Sequence, residues 1–315
     1  MKIITPIAMT DAKLTSSDIA ETDYAAYDIS TTYSRGDYCI STTTHTVYRS
    51  LTDTNLGNDP DVETAALADP LIDDPNPVNW QIISATNRWK MFDHKPSVQS
   101  ERAESITVEI TPGEFIGGMA GFNISGSSVT VTGTVPGSPD EVIYSATVDL
   151  YDDDYVGSWY DYYFQPLTPL TEFVLTDLPA YGTAVWEVAI TNTGGTAKIG
   201  QLVLGRTTDI GDVVVPGTGW AGLDFSYVQN DEFGNLTRVV REATRVFDYE
   251  IITPTTGILT TFEKLRALRG GAPAVWVGDD RSYMATTAYG FARDYRMVYQ
   301  SGPECIFSLQ VQGMV

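Results

Sequence analysis

The sequence predicts a mainly β protein: a small N-terminal β-module, a central antiparallel β-sandwich of jelly-roll character, and a C-terminal strand-rich α+β part with one helix. Three observations carry this reading. Apolar residues through the middle of the chain recur at every second position, Gly and Pro pairs punctuate them at short intervals, and helical spacing is convincing only from Ile258 to Arg269. A chain of 315 residues exceeds one typical core. The pattern divides it into residues 1–85, 86–205 and 206–315.

In the first part, residues 24 to 85 hold short Tyr-, Thr- and Ile-rich runs between Gly, Asp, Asn and Pro turns. From Leu56 to Asn79 the chain is polar, acidic and broken by proline, as in Asp73-Asp74-Pro75-Asn76-Pro77, and so reads as a loop or linker. The middle part alternates at Ile106, Val108, Ile110, then Val129, Val131, then Val142, Tyr144, Ala146, Val148, Leu150, then Trp186, Val188, Ile190. Each set puts apolar side chains on one face of a half-buried strand, with Thr, Ser or Glu on the other. Turns are expected at Pro112-Gly113, Gly117-Gly118, Pro136-Gly137 and Gly194-Gly195. In the last part Leu259, Phe262 and Leu265 mark one helix face, Lys264 and Arg266 sit toward its C-terminal end, and Gly270-Gly271 stops it. Ala274-Val275-Trp276-Val277 reads as a buried strand. Tyr295, Met297, Tyr299 and Phe307, Leu309, Val311 read as two closing strands.

Composition narrows the function classes. Hydrophobic residues make up 43%, enough to bury a core, so gross disorder is excluded. The net charge of −22 makes nucleic acid and anionic membrane poor partners, since both are held through Lys and Arg. Residues 206–315 carry 10 basic against 13 acidic side chains, which leaves −19 on residues 1–205. That split suits an acidic, solvated part joined to a nearly neutral part that packs against other protein. The two cysteines, Cys39 and Cys305, exclude a disulfide framework and a thiolate metal site. Neither a secretory signal nor a run of membrane-span length is present, so a protein made in a cytoplasm is expected.

The residues suited to catalysis are sparse. His45 and His94 stand alone, without HExxH spacing or a GxSxG serine, which argues against metal-assisted hydrolysis and a catalytic triad. Gly217-Thr218-Gly219-Trp220-Ala221-Gly222 satisfies GxGxxG formally, but no helix pattern follows it, and it reads as an interdomain turn. Asp149, Asp152, Asp153, Asp154 and Asp161 crowd among Tyr151, Tyr155, Trp159, Tyr160, Tyr162 and Tyr163. A solvated acidic loop accounts for this first, with calcium held by Asp152, Asp153 and Asp154, or a glycosidase-type carboxylate pair, as alternatives. Trp80, Trp89, Trp186 and Trp276 sit where a strand or turn would bury them.

The stretch Tyr33-Ser34-Arg35-Gly36-Asp37, with Tyr48, Pro60 and Trp80, resembles small chitin-binding-type carbohydrate modules. The resemblance implies sugar contact by Tyr33, Asp37, Tyr48 and Trp80, although the positions of the platform tryptophans in those modules fall near Leu51 and Thr52 here. The same run leads through Trp80-Gln81-Ile82-Ile83 into Asn87-Arg88-Trp89-Lys90-Met91-Phe92-Asp93. With Leu178-Pro179-Ala180-Tyr181, Gly200-Gln201-Leu202-Val203-Leu204-Gly205 and Ala288-Tyr289-Gly290-Phe291, it is similar to β-rich tail-tip or baseplate-region virion proteins of tailed bacteriophages. That likeness implies a non-enzymatic structural role in a virion tail, assembled in the host cytoplasm. Its expected partners are other phage tail proteins and further copies of the chain, with host-surface polysaccharide as a further contact.

Overall fold

A computed structural model describes residues 1–67, 77–137, 139–152, 158–164, 168–230, 234–278, 286–299 and 304–314. The chain is mainly β, as the alternation predicts. Its N-terminal module is an antiparallel sheet of Tyr38–Ser41, Thr46–Ser50 and Trp80–Ala85. The expected loop after Leu56 instead contains an α-helix, Pro60–Leu67. Pro60 sits in the first turn, where a missing N–H costs no bond, and the Asp59 carboxylate accepts the Asp61 N–H at 2.9 Å. Two acids then tie this helix to the sheet. Asp61 accepts hydrogen bonds from Ser41 Oγ (2.6 Å) and Thr44 Oγ1 (2.8 Å), and Glu63 from the N–H groups of Val78 (2.6 Å) and Asn79 (2.8 Å). Asp73 to Asn76 lie outside the described residues.

The middle of the chain folds into two layers that share one long strand, Val185–Asp209. Its first half lies between Ser100–Ile110 and Ser128–Val135, flanked in turn by Leu14–Ser17 and Glu141–Asp149. Its second half pairs with Gly118–Ser125, beside which runs Glu172–Leu175. The predicted Ile106, Val108, Ile110, Val129, Val131, Trp186, Val188 and Ile190 share one buried cluster with Met119, Ile124, Phe173, Ile199 and Leu202 from the second layer. Gly194-Gly195 is no turn. It lies inside the long strand, where the register shifts between Thr191 and Thr196 and Gly194 takes φ 79, a left-handed backbone that lets the strand bulge and continue.

The long strand runs on past residue 205, so the expected boundary there falls within a single element. Residues 205–209 pair with Lys2–Pro6, and that strand pairs on its other side with Ala274–Val277. The first residues of the chain are therefore built into the middle of the largest sheet, away from the N-terminal module. Beyond Ala274–Val277 the sheet continues through Thr287–Tyr299, Glu304–Gly313 and Ala243–Pro254.

Helix Ile258–Ala267 packs onto this sheet one residue out of the predicted phase. Ile258, Thr261 and Leu265 are buried on it, followed by Leu268, while Leu259 is 79% exposed. The sequence offers both stripes, and the one chosen reaches Tyr249, Phe307 and Leu309. Phe262 lies edge-on to Tyr295, with ring centroids 6.1 Å apart. Gly270 and Gly271 take φ 79 and 78 and end the helix as predicted. The expected turn at Gly217–Gly222 is instead the approach to a strand, Gly219–Asp224, hydrogen-bonded to Ala243–Asp248. No helix follows it, so the formal GxGxxG match has none of the geometry of a phosphate loop.

Gly205 lies so close to Thr5 of the neighbouring strand that a Cβ on it would run into the Thr5 carbonyl. Gly205→Ala is expected to destabilise the fold by about 2 kcal/mol through overpacking. Urea unfolding measures this, and a variant as stable as the parent would contradict the close stitching of strand Lys2–Pro6.

Candidate functional site

The residues expected to meet sugar form the module's interior. Tyr33, Tyr48 and Trp80 are 7%, 1% and 2% exposed and cluster with Cys39. Tyr33 and Trp80 meet edge to face at 5.1 Å, Trp80 donates its indole N–H to the Asn58 carbonyl at 2.8 Å, and the Tyr33 hydroxyl accepts the Asp28 N–H. Asp37 accepts the Ser34 N–H at 2.7 Å and closes the turn in which Gly36 takes φ 97. A three-stranded sheet has little other apolar mass to bury, so these three aromatics turn inward and offer no ring face for stacking, while Tyr24 and Tyr38 stack on each other at the surface, 4.9 Å apart. Burial pushes the Cys39 thiol up to about 12, which keeps it protonated and unreactive.

Of the calcium candidates, Asp153 and Asp154 lie outside the described residues, and Asp152 is placed in a two-residue strand. Among the described residues no group of three or more His, Cys, Asp or Glu could hold a metal ion. The aromatics next to this run form a short helix, Trp159–Phe164, on which Trp159, Tyr160, Tyr163 and Phe164 are exposed.

Segment Asn87–His94 is architectural, and it joins all three parts of the chain. Asn87 exchanges two hydrogen bonds with the backbone of Glu101, at 2.8 and 2.9 Å, imitating a strand pair. Trp89 stacks on His45 of the module, with centroids 4.2 Å apart. Met91 is fully buried in the sandwich core, and its N–H donates to Ser100 Oγ at 3.0 Å. His94 reaches the C-terminal sheet, where its Nδ1 shares a hydrogen bond with the Tyr289 hydroxyl. Burial lowers the pKa of His94 and raises those of Tyr289 and Asp93, with Asp93 adding to the rise at Tyr289. His94 and Tyr289 are thus held neutral.

Tyr289 stacks on Phe122 at 5.4 Å, and the two rings border a cleft of about 550 Å3. The cleft opens where the large sheet curls until its opposite ends face each other. Asn123 and Glu172 come from one end, and Trp220 and Arg245 from the other. Glu172 Oε1 and Arg245 Nη1 stand 4.0 Å apart across it, an ion-pair distance too long for a hydrogen bond. Burial raises the Glu172 carboxyl pKa, and Arg245 opposes that rise. Trp220 is 60% exposed at the cleft mouth. An open cleft with an exposed indole, a carboxyl, a guanidinium and an amide can hold a ligand with an apolar face and a hydroxylated edge.

Sequence reasoning missed Glu172, Trp220, Arg245 and Tyr289 as a group, because they are brought together only by the curl of the sheet. Trp220 within Gly219-Trp220-Ala221-Gly222 is the one local signal, a large aromatic placed among residues with small side chains or none. No protein-family model matches the chain, and no curated protein matches it.

The neutral His94 gives a pH prediction. Its folded pKa lies below its unfolded one, so the folded state resists protonation and loses stability as pH falls through the unfolded value of about 6.5. Thermal unfolding of the parent and of His94→Asn, which tolerates the φ of 61 at this position, should show the parent's advantage shrinking from pH 7.5 to pH 5. A constant difference would mean that His94 titrates freely.

Proposed function

We propose that the protein is a non-enzymatic structural component of a bacteriophage tail, in the tail-tip, baseplate or fibre-attachment region. It holds neighbouring tail proteins in place as an oligomer and also contacts host-surface glycan. The observation that carries this reading is a β-ribbon. Strands Gly219–Asp224 and Ala243–Pro254 pair within the large sheet, and the connection between them continues outward as a second antiparallel pair, Tyr227–Asn230 with Leu236–Val239. Almost all of this outer pair is exposed, including Tyr227, Val228 and Leu236, with Phe225 and Val240 exposed beside it. An isolated two-stranded ribbon is marginally stable in water and gains little from apolar residues that nothing covers. Its role is to be covered.

Arg238 and Arg241 lie on the ribbon, with the Arg241 guanidinium 5.4 Å from the Tyr227 ring centre. Asp231 and Glu232 in the same connection balance the two arginines, so the ribbon is near neutral, and its exposed apolar side chains suit cover by a neighbouring copy in a head-to-tail contact of the kind that builds rings. The likeness of the Asn87–Asp93 run and its surroundings to tail proteins agrees with this. Among the described residues no helix is long and apolar enough to cross a membrane.

Replacing Tyr227–Val239 with an Asn-Gly turn should leave the circular-dichroism spectrum and the melting temperature close to those of the parent. It should also abolish oligomer formation and incorporation into particles. Normal incorporation of this variant would overturn the assignment.

A further inference from the structure

We infer that the cleft between the ends of the large sheet is a saccharide-binding site, taking an uncharged oligosaccharide whose ring stacks on Trp220 and whose hydroxyls bridge Glu172 and Arg245. This rests on the glycan-contact part of the proposed function, and it places that contact outside the module where sequence resemblance would put it.

The argument starts from the indole. Trp220 lies on an outer strand and is 60% exposed, while Trp186 and Trp276 are fully buried. The residue two positions on, and so on the same strand face, is Gly222, and a Cβ there would meet nothing within 4 Å. The floor beside the indole is therefore open, and the strand does not need glycine for its backbone, since Gly222 is not among the residues with positive φ. A pyranose has one apolar face of C–H groups and a rim of hydroxyls, and an open indole with polar groups at its edge matches both.

The rim supplies the polar half. Glu172 and Arg245 are partners in charge, but at 4.0 Å they do not hydrogen-bond. Neither side chain makes another side-chain hydrogen bond among the described residues. A hydroxyl placed between them donates to the carboxylate and accepts from the guanidinium, and it satisfies both at once. Glu242 also lines the cleft, so with Glu172 and Arg245 the charged groups sum to one negative unit. In a chain of net charge −22 this disfavours phosphate, sulfate and acidic sugars. The volume of about 550 Å3 falls within the range of small-molecule sites, ~300–1,000 Å3.

The full chain is titrated calorimetrically with neutral oligosaccharides of glucose, galactose, mannose and N-acetylglucosamine, and iodide quenching of tryptophan fluorescence is followed in parallel. At least one sugar should bind saturably and shield an indole from iodide. Trp220→Ala and Gly222→Val should each weaken binding about tenfold or more, the first by removing the stacking face and the second by filling the floor. Because Gly222→Val adds a β-branched residue to a strand with open space around it, its unfolding curve should match the parent's and separate loss of binding from misfolding. The inference is overturned if no member of the panel binds, if both cleft variants bind like the parent, or if binding is lost in Trp159→Ala while surviving in Trp220→Ala. The ribbon replacement retains Trp220 and Gly222 and should bind sugar normally, so failure of the glycan site and failure of the assembly role are read separately.

Discussion

Everything in this fold is oriented by the seating of one short segment, Asn87 to His94. Met91 enters the sandwich core, Trp89 lies against His45 in the module, and His94 meets Tyr289 in the C-terminal sheet. These contacts lie within a few residues of one another, so the three parts have little freedom to turn independently. Asn87, paired with Glu101 like a residue in a strand, fixes the entry to the segment. Just past its end, the Pro96 carbonyl accepts the Asn123 amide at 2.7 Å. It lies so close to the long strand that a Cβ on Gly200 would strike it.

This rigidity decides where functions can sit. Tyr33, Tyr48 and Trp80 of the N-terminal module are spent on its interior, so their ring faces are unavailable to a ligand. Two exposed surfaces lie at the ends of the sheet: the cleft bordered by Glu172, Trp220 and Arg245, and the ribbon beyond Asp224. Both draw on the same pair of strands, Gly219–Asp224 and Ala243–Pro254, which the cleft meets with Glu172 and Asn123 from the opposite end of the sheet. One ribbon thus presents a sugar-sized hollow at its base and an apolar arm at its outer end. That arrangement suits a subunit that meets glycan on one side while a neighbour holds its arm.

Much of the fold was legible because burial is periodic. Ile106, Val108, Ile110, Trp186, Val188 and Ile190 lie inward as their alternation requires, and Ala274–Val277 is buried throughout. What stayed hidden depends on partners distant in sequence. Nothing local in Lys2–Pro6 says that it lies between residues 205–209 and 275–277. The phase of helix Ile258–Ala267 was ambiguous because Ile258, Leu259, Phe262 and Leu265 offer two apolar stripes, and only the shape of the sheet selects one. Helix Pro60–Leu67 was masked by prolines and acids that proved to be its first turn and its anchors. The cleft was the least legible, since Glu172 and Arg245 are brought together only when opposite ends of a curled sheet meet.

The placement of Lys2–Pro6 also orders events in time. These residues are synthesised well before the strands on either side of them, residues 205–209 and 275–277, which follow about 200 and 270 positions later in the sequence. The middle of the large sheet therefore cannot close until residues 275–277 have been made, and strand Lys2–Pro6 stays unpaired and open to wrong neighbours until then. Long-range pairing of this kind folds slowly and is prone to aggregation. Yield in recombinant expression should thus respond more to slower translation and lower temperature than to any change in the N-terminal module, whose three strands and helix all lie within residues 38–85.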